Sequence, residues 1–235
     1  MLPVGPLLAS GRDADIFEFG PGLVLRRARD DRSMLNEART MEYLTRQGYP
    51  VPAVDQVSAD GCDLVMQRVE GPSMVNAVAH APWTIFRQAD VLAGLHRRLH
   101  ELDPPDFLPA ARIGAGDRIV HLDLHPLNVI IGGDGPVVIV WTSACIGDPV
   151  VDVGLAWILM SAGEIPGGVV ARSTLGLGRS LMVRRFVQHF DREEIVQQLP
   201  AIITWKARDP HMSPDEISAM WHVTKRAGPT RTSHP

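Results

Sequence analysis

The sequence lacks several features that would assign it to a specialised class of protein. Its 235 residues include only two cysteines, Cys62 and Cys145, which do not have the spacing of a metal site. Its longest apolar run, Val153–Met160, is far shorter than the roughly 20 residues of a membrane-spanning helix. A net charge of −4 provides no basic field to attract nucleic acid. We therefore expect a reduced, cytoplasmic protein without a membrane or nucleic-acid partner.

The composition is that of a folded protein. Hydrophobic residues make up 45% of the chain, which argues against intrinsic disorder. A chain of this length can bury a substantial core as one large domain or as two lobes.

The most informative stretch runs from Ile119 to Asp152. Two apolar segments, 128–131 and 137–140, flank a Gly/Asp-rich break at 132–135, and this pattern predicts a β-hairpin. The hairpin is preceded by HLDLHPLN (121–128) and followed by GDPVVD (147–152). A carboxylate that accepts a hydroxyl proton, followed five residues later by an oxygen ligand for a metal, is suited to phosphoryl transfer.

The order and spacing of these motifs resemble the aminoglycoside phosphotransferase family, which has a protein-kinase-like fold. The resemblance implies an α+β protein with two lobes. The N-terminal nucleotide-binding lobe, 1–69, would be a small antiparallel sheet with a helix. The C-terminal lobe, 70–235, would be mainly helical, contain the catalytic hairpin, bind the acceptor and end in a loose tail at 227–235.

The resemblance also implies roles for five residues in this stretch. Asp123 corresponds to the catalytic base and Asn128 to a magnesium ligand. His121, Asp148 and Asp152 correspond to residues that support the catalytic loop, and Asp148 can also cap the helix that starts at Pro149. The expected co-substrate and cofactor are ATP and Mg²⁺.

Four residues of the N-terminal part match nucleotide-binding positions of the family. Arg26 stands where the family has its phosphate-binding lysine, and Glu37 is its candidate ion-pair partner. Gln67 and Val69 lie at the hinge that receives the adenine. From the residues alone, an exposed hairpin around Arg26 and a solvated helix residue at Glu37 are the preferred interpretations.

One position departs from the family pattern. The family has a metal-binding Asp before the Trp, whereas this chain has Ile139-Val140-Trp141, and valine offers no oxygen ligand to magnesium. If the strand 137–140 alternates, Val140 faces the phosphates.

A long helix is predicted over 83–102, from an apolar face that repeats at helical spacing. It carries His96 and His100 four residues apart, which is a possible zinc spacing. Because no third ligand is near them in the sequence, structural roles are the preferred interpretation.

The leading hypothesis is an ATP- and Mg²⁺-dependent kinase that acts on a small-molecule hydroxyl. The alternative is a pseudokinase that binds a nucleotide or acts as a scaffold without transferring phosphate. A third interpretation is that Val140 is a local variation in an active enzyme.

Overall fold

The computed structural model describes residues 2–11, 14–30, 32–162, 169–209 and 212–228. Its N-terminal part is a five-stranded antiparallel sheet with the strand order β1-β2-β3-β5-β4. The strands are β1 (Leu7–Ser10), β2 (Ala14–Gly20), β3 (Leu23–Ala28), β4 (Val54–Val57) and β5 (Asp63–Gln67). The central strands β3 and β5 contribute the buried core residues Leu25, Leu64 and Val65.

The helix of the N-terminal part, α1 (Leu35–Arg46), lies between β3 and β4 in the chain. Met34 precedes it at the cap position without a side-chain capping bond, while the Ser33 hydroxyl accepts a hydrogen bond from the Leu35 amide at 3.3 Å. The sequence pattern, with Ser33 as a possible cap, predicts a helix from Met34 to about Gln47, so the observed helix begins one residue later. Gly48 ends it with a left-handed φ of 70°, as is common after a helix.

Six helices form most of the C-terminal part. They are α2 (Met74–His80), α3 (Ile85–His100), α4 (Pro149–Ala162), α5 (Val169–Val187), α6 (Arg192–Lys206) and α7 (Pro214–Ala227). The predicted helix over 83–102 was too long, because a 3₁₀ turn at Pro82–Thr84 precedes α3. Helix α4 is apolar and buried along most of its length and packs against α5, α6 and α7. No helix within the described ranges is long and apolar enough to cross a membrane.

Two small antiparallel sheets position the motif residues. The predicted hairpin is present as β7 (Val129–Gly132) and β8 (Gly135–Val138). Strands β6 (Arg118–Val120) and β9 (Cys145–Gly147) pair with each other. This second pairing brings the loop that follows β6 close to the start of α4, so that the two halves of the motif meet.

The hinge segment that follows β5 contacts the β7–β8 hairpin. The Ile131 amide donates to the Pro72 carbonyl at 2.9 Å. A β-carbon at Gly71, where φ is 140°, would lie 2.2 Å from the Ile131 carbonyl oxygen. The α+β, kinase-like architecture predicted from the sequence is confirmed. The predicted tail starts later than expected, because α7 continues to Ala227; residues 229–235 lie outside the described part.

Candidate active site

The loop at 121–128 holds Asp123 and Asn128 against each other. The Asn128 side-chain nitrogen donates to both the Asp123 carbonyl and its Oδ2, each at 2.8 Å. The Asp123 amide donates to the His121 Nδ1 at 3.2 Å. Leu122, between them, has a φ of 56°, which turns the chain so that the Asp123 side chain remains one-third exposed. A carboxylate that is fixed and still accessible can accept a proton from a bound hydroxyl.

The environment of Asp123 favours its ionised form. Burial alone would raise the pKa of Asp123, but the hydrogen bond and charge of His125, with the charges of His121 and Lys206, keep it below its ordinary value. The His125 Nε2 lies 3.5 Å from the Asp123 Oδ1. Asp123 is therefore in the base form at neutral pH.

The Asp152 carboxylate holds the backbone of this loop in place. It is 1% exposed, and its two carboxylate oxygens accept the amides of Leu122 at 2.7 Å and His121 at 3.2 Å. Asp148 instead caps α4, since its Oδ1 accepts the Val150 amide at 2.8 Å.

The buried His121 side chain also helps to position this loop. Its ring lies against the Trp141 ring, with 4.6 Å between the centroids. Burial lowers the pKa of His121 to about 4, so that the ring is neutral at pH 7. A neutral ring can accept the Asp123 amide through Nδ1.

Arg26 on β3 and Glu37 on α1 form the predicted ion pair, and both side chains are about 95% buried. The Arg26 guanidinium also donates to the Thr142 hydroxyl at 3.2 Å. Glu37 accepts the Trp141 amide at 2.8 Å and the Thr142 hydroxyl at 2.9 Å. The N-terminal sheet is therefore joined, through one carboxylate, to the segment that follows the hairpin.

The backbone amides of the hinge residues differ in whether they already have a hydrogen-bond acceptor within the protein. The amides of Gln67 and Arg68 donate to the carbonyls of Ala53 and Gly22, both at 2.8 Å. Among the described residues, the Val69 amide has no protein acceptor. Val69 is thus better suited than Gln67 to donate to an adenine ring.

Val140 lies beside this network in an unusual conformation. Strand β8 ends at Val138, and Val140 has a φ of 68°, so the expected alternation along 137–140 is wrong. The Ile139 amide donates to the Asn128 carbonyl at 2.9 Å, which keeps Val140 next to Asn128 in the structure. A left-handed conformation is rare for a β-branched residue.

Comparisons with known proteins identify the family. A model of the phosphotransferase enzyme family, APH, matches residues 5–118 and 106–180, well over half of the chain. The chain belongs to this family. A search of curated proteins found no match for this family member.

Solved structures confirm the fold of this phosphotransferase-family chain. A choline/ethanolamine kinase family protein from Mesorhizobium loti has a TM-score of 0.61 at 14% identity, covering 95% of this chain and 88% of its own. A thermostable mutant of an aminoglycoside phosphotransferase in its apo form has a TM-score of 0.62 at 14% identity, with coverage of 97% and 96%. The amicoumacin kinase hAmiN, solved in complex with AMP-PNP, Ca²⁺ and Ami, has a TM-score of 0.56 at 13% identity, with coverage of 94% and 87%.

The donors present in this family member do not complete a magnesium site of the family's kind. The Asn128 amide nitrogen is committed to Asp123, so its Oδ1 is the atom available to a metal. Val140 supplies no oxygen, and Asp148 is engaged at the start of α4. One neutral oxygen beside the base falls short of the six oxygen ligands that magnesium requires, unless phosphates and water supply the rest.

Sequence reasoning missed two residues near the catalytic carboxylate. His125 lies inside the quoted motif, two residues after Asp123, and this proximity was the available signal. Lys206 influences Asp123 from the end of α6 and forms an ion pair with Asp209 at 2.8 Å. No local pattern connects Lys206 to Asp123, because the helical packing brings it there.

Proposed function

We propose that this protein transfers the γ-phosphate of ATP to a hydroxyl group of a small molecule. The observation that carries the proposal is the 2.8 Å contact between the Asn128 amide and the Asp123 Oδ2, on a loop whose amides are held by the buried Asp152. The family assignment supports the same reaction class. The amicoumacin kinase structure, with its ATP analogue and Ca²⁺, supports a nucleotide as the phosphate donor.

In this proposal each part of the site has a separate task. Asp123 accepts the proton of the attacking hydroxyl as the oxygen–phosphorus bond forms. Val69 and Gln67 contact the adenine, and Glu37 positions the Arg26 guanidinium next to the phosphates. Asn128 is the remaining metal ligand of the motif, and His121, Asp148 and Asp152 maintain the geometry of the loop. The reaction is proposed to take place in the cytoplasm, where ATP is available.

Val140 supports a second candidate function, that of a pseudokinase that binds nucleotide without transferring phosphate. A metal ion contributes several kcal/mol of charge stabilisation to a phosphoryl transition state. Losing part of it would slow transfer by roughly 100- to 10,000-fold at about 1.36 kcal/mol per tenfold change in rate. The buried Arg26 is already neutralised by Glu37, which further reduces its availability to phosphates.

Calorimetry of ATP binding, with and without Mg²⁺, combined with an assay of phosphate transfer, separates the two functions. The full chain is compared with Val140→Asp, which restores a carboxylate, and with Val140→Asn. Asn has the shape of Asp and tolerates the same backbone conformation, but it adds no charge. If the enzyme proposal is right, the unmodified chain binds ATP with Mg²⁺ and phosphorylates at least one member of a panel of amino alcohols and aminoglycosides.

A variant of Asp123, the proposed catalytic base, completes the test. Asp123→Asn is expected to abolish transfer and leave ATP affinity within about threefold, because the carboxylate acts on the acceptor proton rather than on the nucleotide. Undiminished turnover in Asp123→Asn would refute its role as the base. ATP binding without turnover in the unmodified chain, with turnover gained only in Val140→Asp, would establish the pseudokinase function.

A further inference from the structure

Three potential metal-binding side chains converge beneath the catalytic loop. His96 and His100 lie one turn apart on α3, and Asp152 reaches them from α4. The Asp152 Oδ2 lies 3.4 Å from the His96 Nδ1 and 2.9 Å from the His100 Nε2, and one ligand atom from each residue lies within 4.8 Å of the others. The sequence-based expectation that no third ligand is near the two histidines is therefore wrong.

The hydrogen bonds of His96 leave its Nδ1 atom without a partner. His96 is fully buried, and its Nε2 lies 3.2 Å from the Leu124 carbonyl oxygen. Because a carbonyl can only accept, Nε2 carries a hydrogen, and in the tautomer with one ring hydrogen Nδ1 carries a lone pair. Nδ1 has no hydrogen-bond partner among the described residues and faces the Asp152 carboxylate. A cation between Nδ1 and the carboxylate would satisfy both atoms.

We propose that His96, His100 and Asp152 form a binding site for a divalent transition metal of the Zn²⁺ class. Two imidazoles and one carboxylate form a common three-residue zinc ligand set. Ligand atoms at about 2.1 Å from a tetrahedral zinc are separated by about 3.4 Å, which agrees with the distance between His96 and Asp152. The metal would replace the hydrogen bond between His100 and Asp152, and the hydrogen of the neutral His100 ring would then reside on Nδ1.

The groups around this cluster are those that usually surround metal ligands. The Leu124 carbonyl fixes the orientation and tautomer of His96, and the amides of His121 and Leu122 hold Asp152. Outer hydrogen bonds of this kind orient ligands and increase their basicity. The surroundings also favour the anion, since the hydrogen bond from His100 holds the pKa of the Asp152 carboxyl well below its usual range despite its burial.

A cavity next to His100 gives the cluster an access route and room for a fourth ligand. The cavity has a volume of about 200 Å³, and its lining includes Phe190 and the acidic residues Asp191 and Glu194. The His100 side chain is 10% exposed, whereas those of His96 and Asp152 are fully buried. A cation could therefore enter past His100, attracted by the two acidic side chains, and keep one water molecule as a ligand.

The proposed site is distinct from the phosphate-binding metal site, because it uses neither Asp123 nor Asn128. Metal binding there would act on the position and stability of the backbone, not on the chemistry. A metal held by α3 and Asp152 would brace the amides of His121 and Leu122, and hence the position of the catalytic loop. Occupancy would raise the thermal stability of the protein regardless of whether it transfers phosphate.

Metal titration of the full chain after removal of metals by chelation tests the proposal. Co²⁺ is expected to bind with one equivalent and to give visible absorption bands of a low-coordinate site with nitrogen ligands. Zn²⁺ should displace it and raise Tm. His100→Gln should weaken Zn²⁺ binding by about 100-fold or more. His189→Gln is the matched control, because His189 also contacts an aspartate, Asp90, at 2.7 Å, but the other partner of that aspartate is Arg185 rather than a second histidine.

Two further measurements keep the test decisive. Zinc-edge X-ray absorption on the unmodified protein should show two imidazoles and oxygen ligands, whether or not the His100 variant folds. Asp123→Asn should leave Zn²⁺ binding unchanged, which separates this site from the catalytic cleft. The proposal is overturned if Zn²⁺ binds no more tightly to the unmodified chain than to His100→Gln. It is equally overturned if nitrogen NMR of the metal-treated protein shows His96 doubly protonated, because the cation is then a proton.

Discussion

The Glu37 carboxylate pairs with Arg26 inside the N-terminal part and also accepts the Trp141 amide at 2.8 Å, 104 residues further along the chain. One buried side chain therefore determines the position of α1 relative to β3 and to the segment that follows the catalytic hairpin. The Thr142 hydroxyl closes the network by contacting both Arg26 and Glu37. An ion pair with this many hydrogen bonds satisfies most of the polar atoms that burial removes from water.

Glu37→Gln should destabilise the protein strongly. The substitution keeps the size of the side chain but leaves the Arg26 guanidinium buried without a counter-charge, which typically costs about 3–5 kcal/mol. In a chain of this length we expect a fall in Tm of roughly 10 °C. Chemical and thermal denaturation measure the effect.

Glu42→Gln serves as its control, because Glu42 lies on the same helix and is exposed. This change should alter stability by less than about 0.5 kcal/mol. Equal effects of the two substitutions would show that the charge of Glu37 does not support the interface between α1 and the hairpin.

Gly71→Ala should disturb the junction of hinge and hairpin. A β-carbon at this position would approach the Ile131 carbonyl oxygen to 2.2 Å, and the φ of 140° is unfavourable for alanine. We expect a loss of about 1–3 kcal/mol in unfolding free energy and weaker ATP binding as the hinge shifts. Gly133→Ala in the hairpin turn has no atom within 4 Å of the added carbon and should change neither. Unchanged stability of Gly71→Ala would mean that the hinge backbone can move away.

The stability of the protein should fall as the pH drops from about 7 to 4, in part because of His121. Burial lowers its pKa from 6.5 to about 4, so in this window the unfolded chain binds a proton that the folded chain excludes. The contribution is present above pH 6.5, lost as the pH falls, and amounts to about 3 kcal/mol at most. In His121→Asn the unfolding free energy should depend less on pH between 6.5 and 4. An unchanged pH dependence would show that His121 is protonated within the fold.

The features that could be predicted from the sequence are those encoded within one segment. The Gly/Asp-rich break predicted the hairpin, and the spacing of Asp123 and Asn128 predicted a shared loop. The Arg26–Glu37 pair was predictable because the two residues follow each other on adjacent elements of a recognisable family. By contrast, β1 has no clear alternation and was missed.

Features created by tertiary packing could not be predicted in this way. Asp152 joins His96 and His100 only because α3 and α4 both contact β6, which leads into the loop at 121–128. The conformation of Val140 was mispredicted because its β-branched neighbours favour a strand. The strand instead ends at Val138, and the Glu37 contact to Trp141 holds the following segment in place.

Val140→Asn should stabilise the protein even if it changes no activity. Val140 has a φ of 68°, a region in which a non-glycine residue is strained by about 1–3 kcal/mol and a β-branched residue is a clear outlier. Asn adopts this conformation more readily because it is not β-branched and its side chain can bond to the local backbone. We expect a gain of about 1 kcal/mol, which corresponds to a rise in Tm of roughly 2–4 °C.

Val140→Ile is the matched control for the backbone effect. Isoleucine is also β-branched and should retain the strain, so that its Tm stays at or below that of the unmodified protein. Val140→Gly relieves the strain but makes the unfolded chain more flexible, and should therefore gain less than Val140→Asn. Differential scanning calorimetry measures the Tm of each of the three variants and so ranks them by stability. If Asn and Ile give the same Tm, the strain at position 140 is relieved by its surroundings, and any gain of function in Val140→Asp must come from the carboxylate alone.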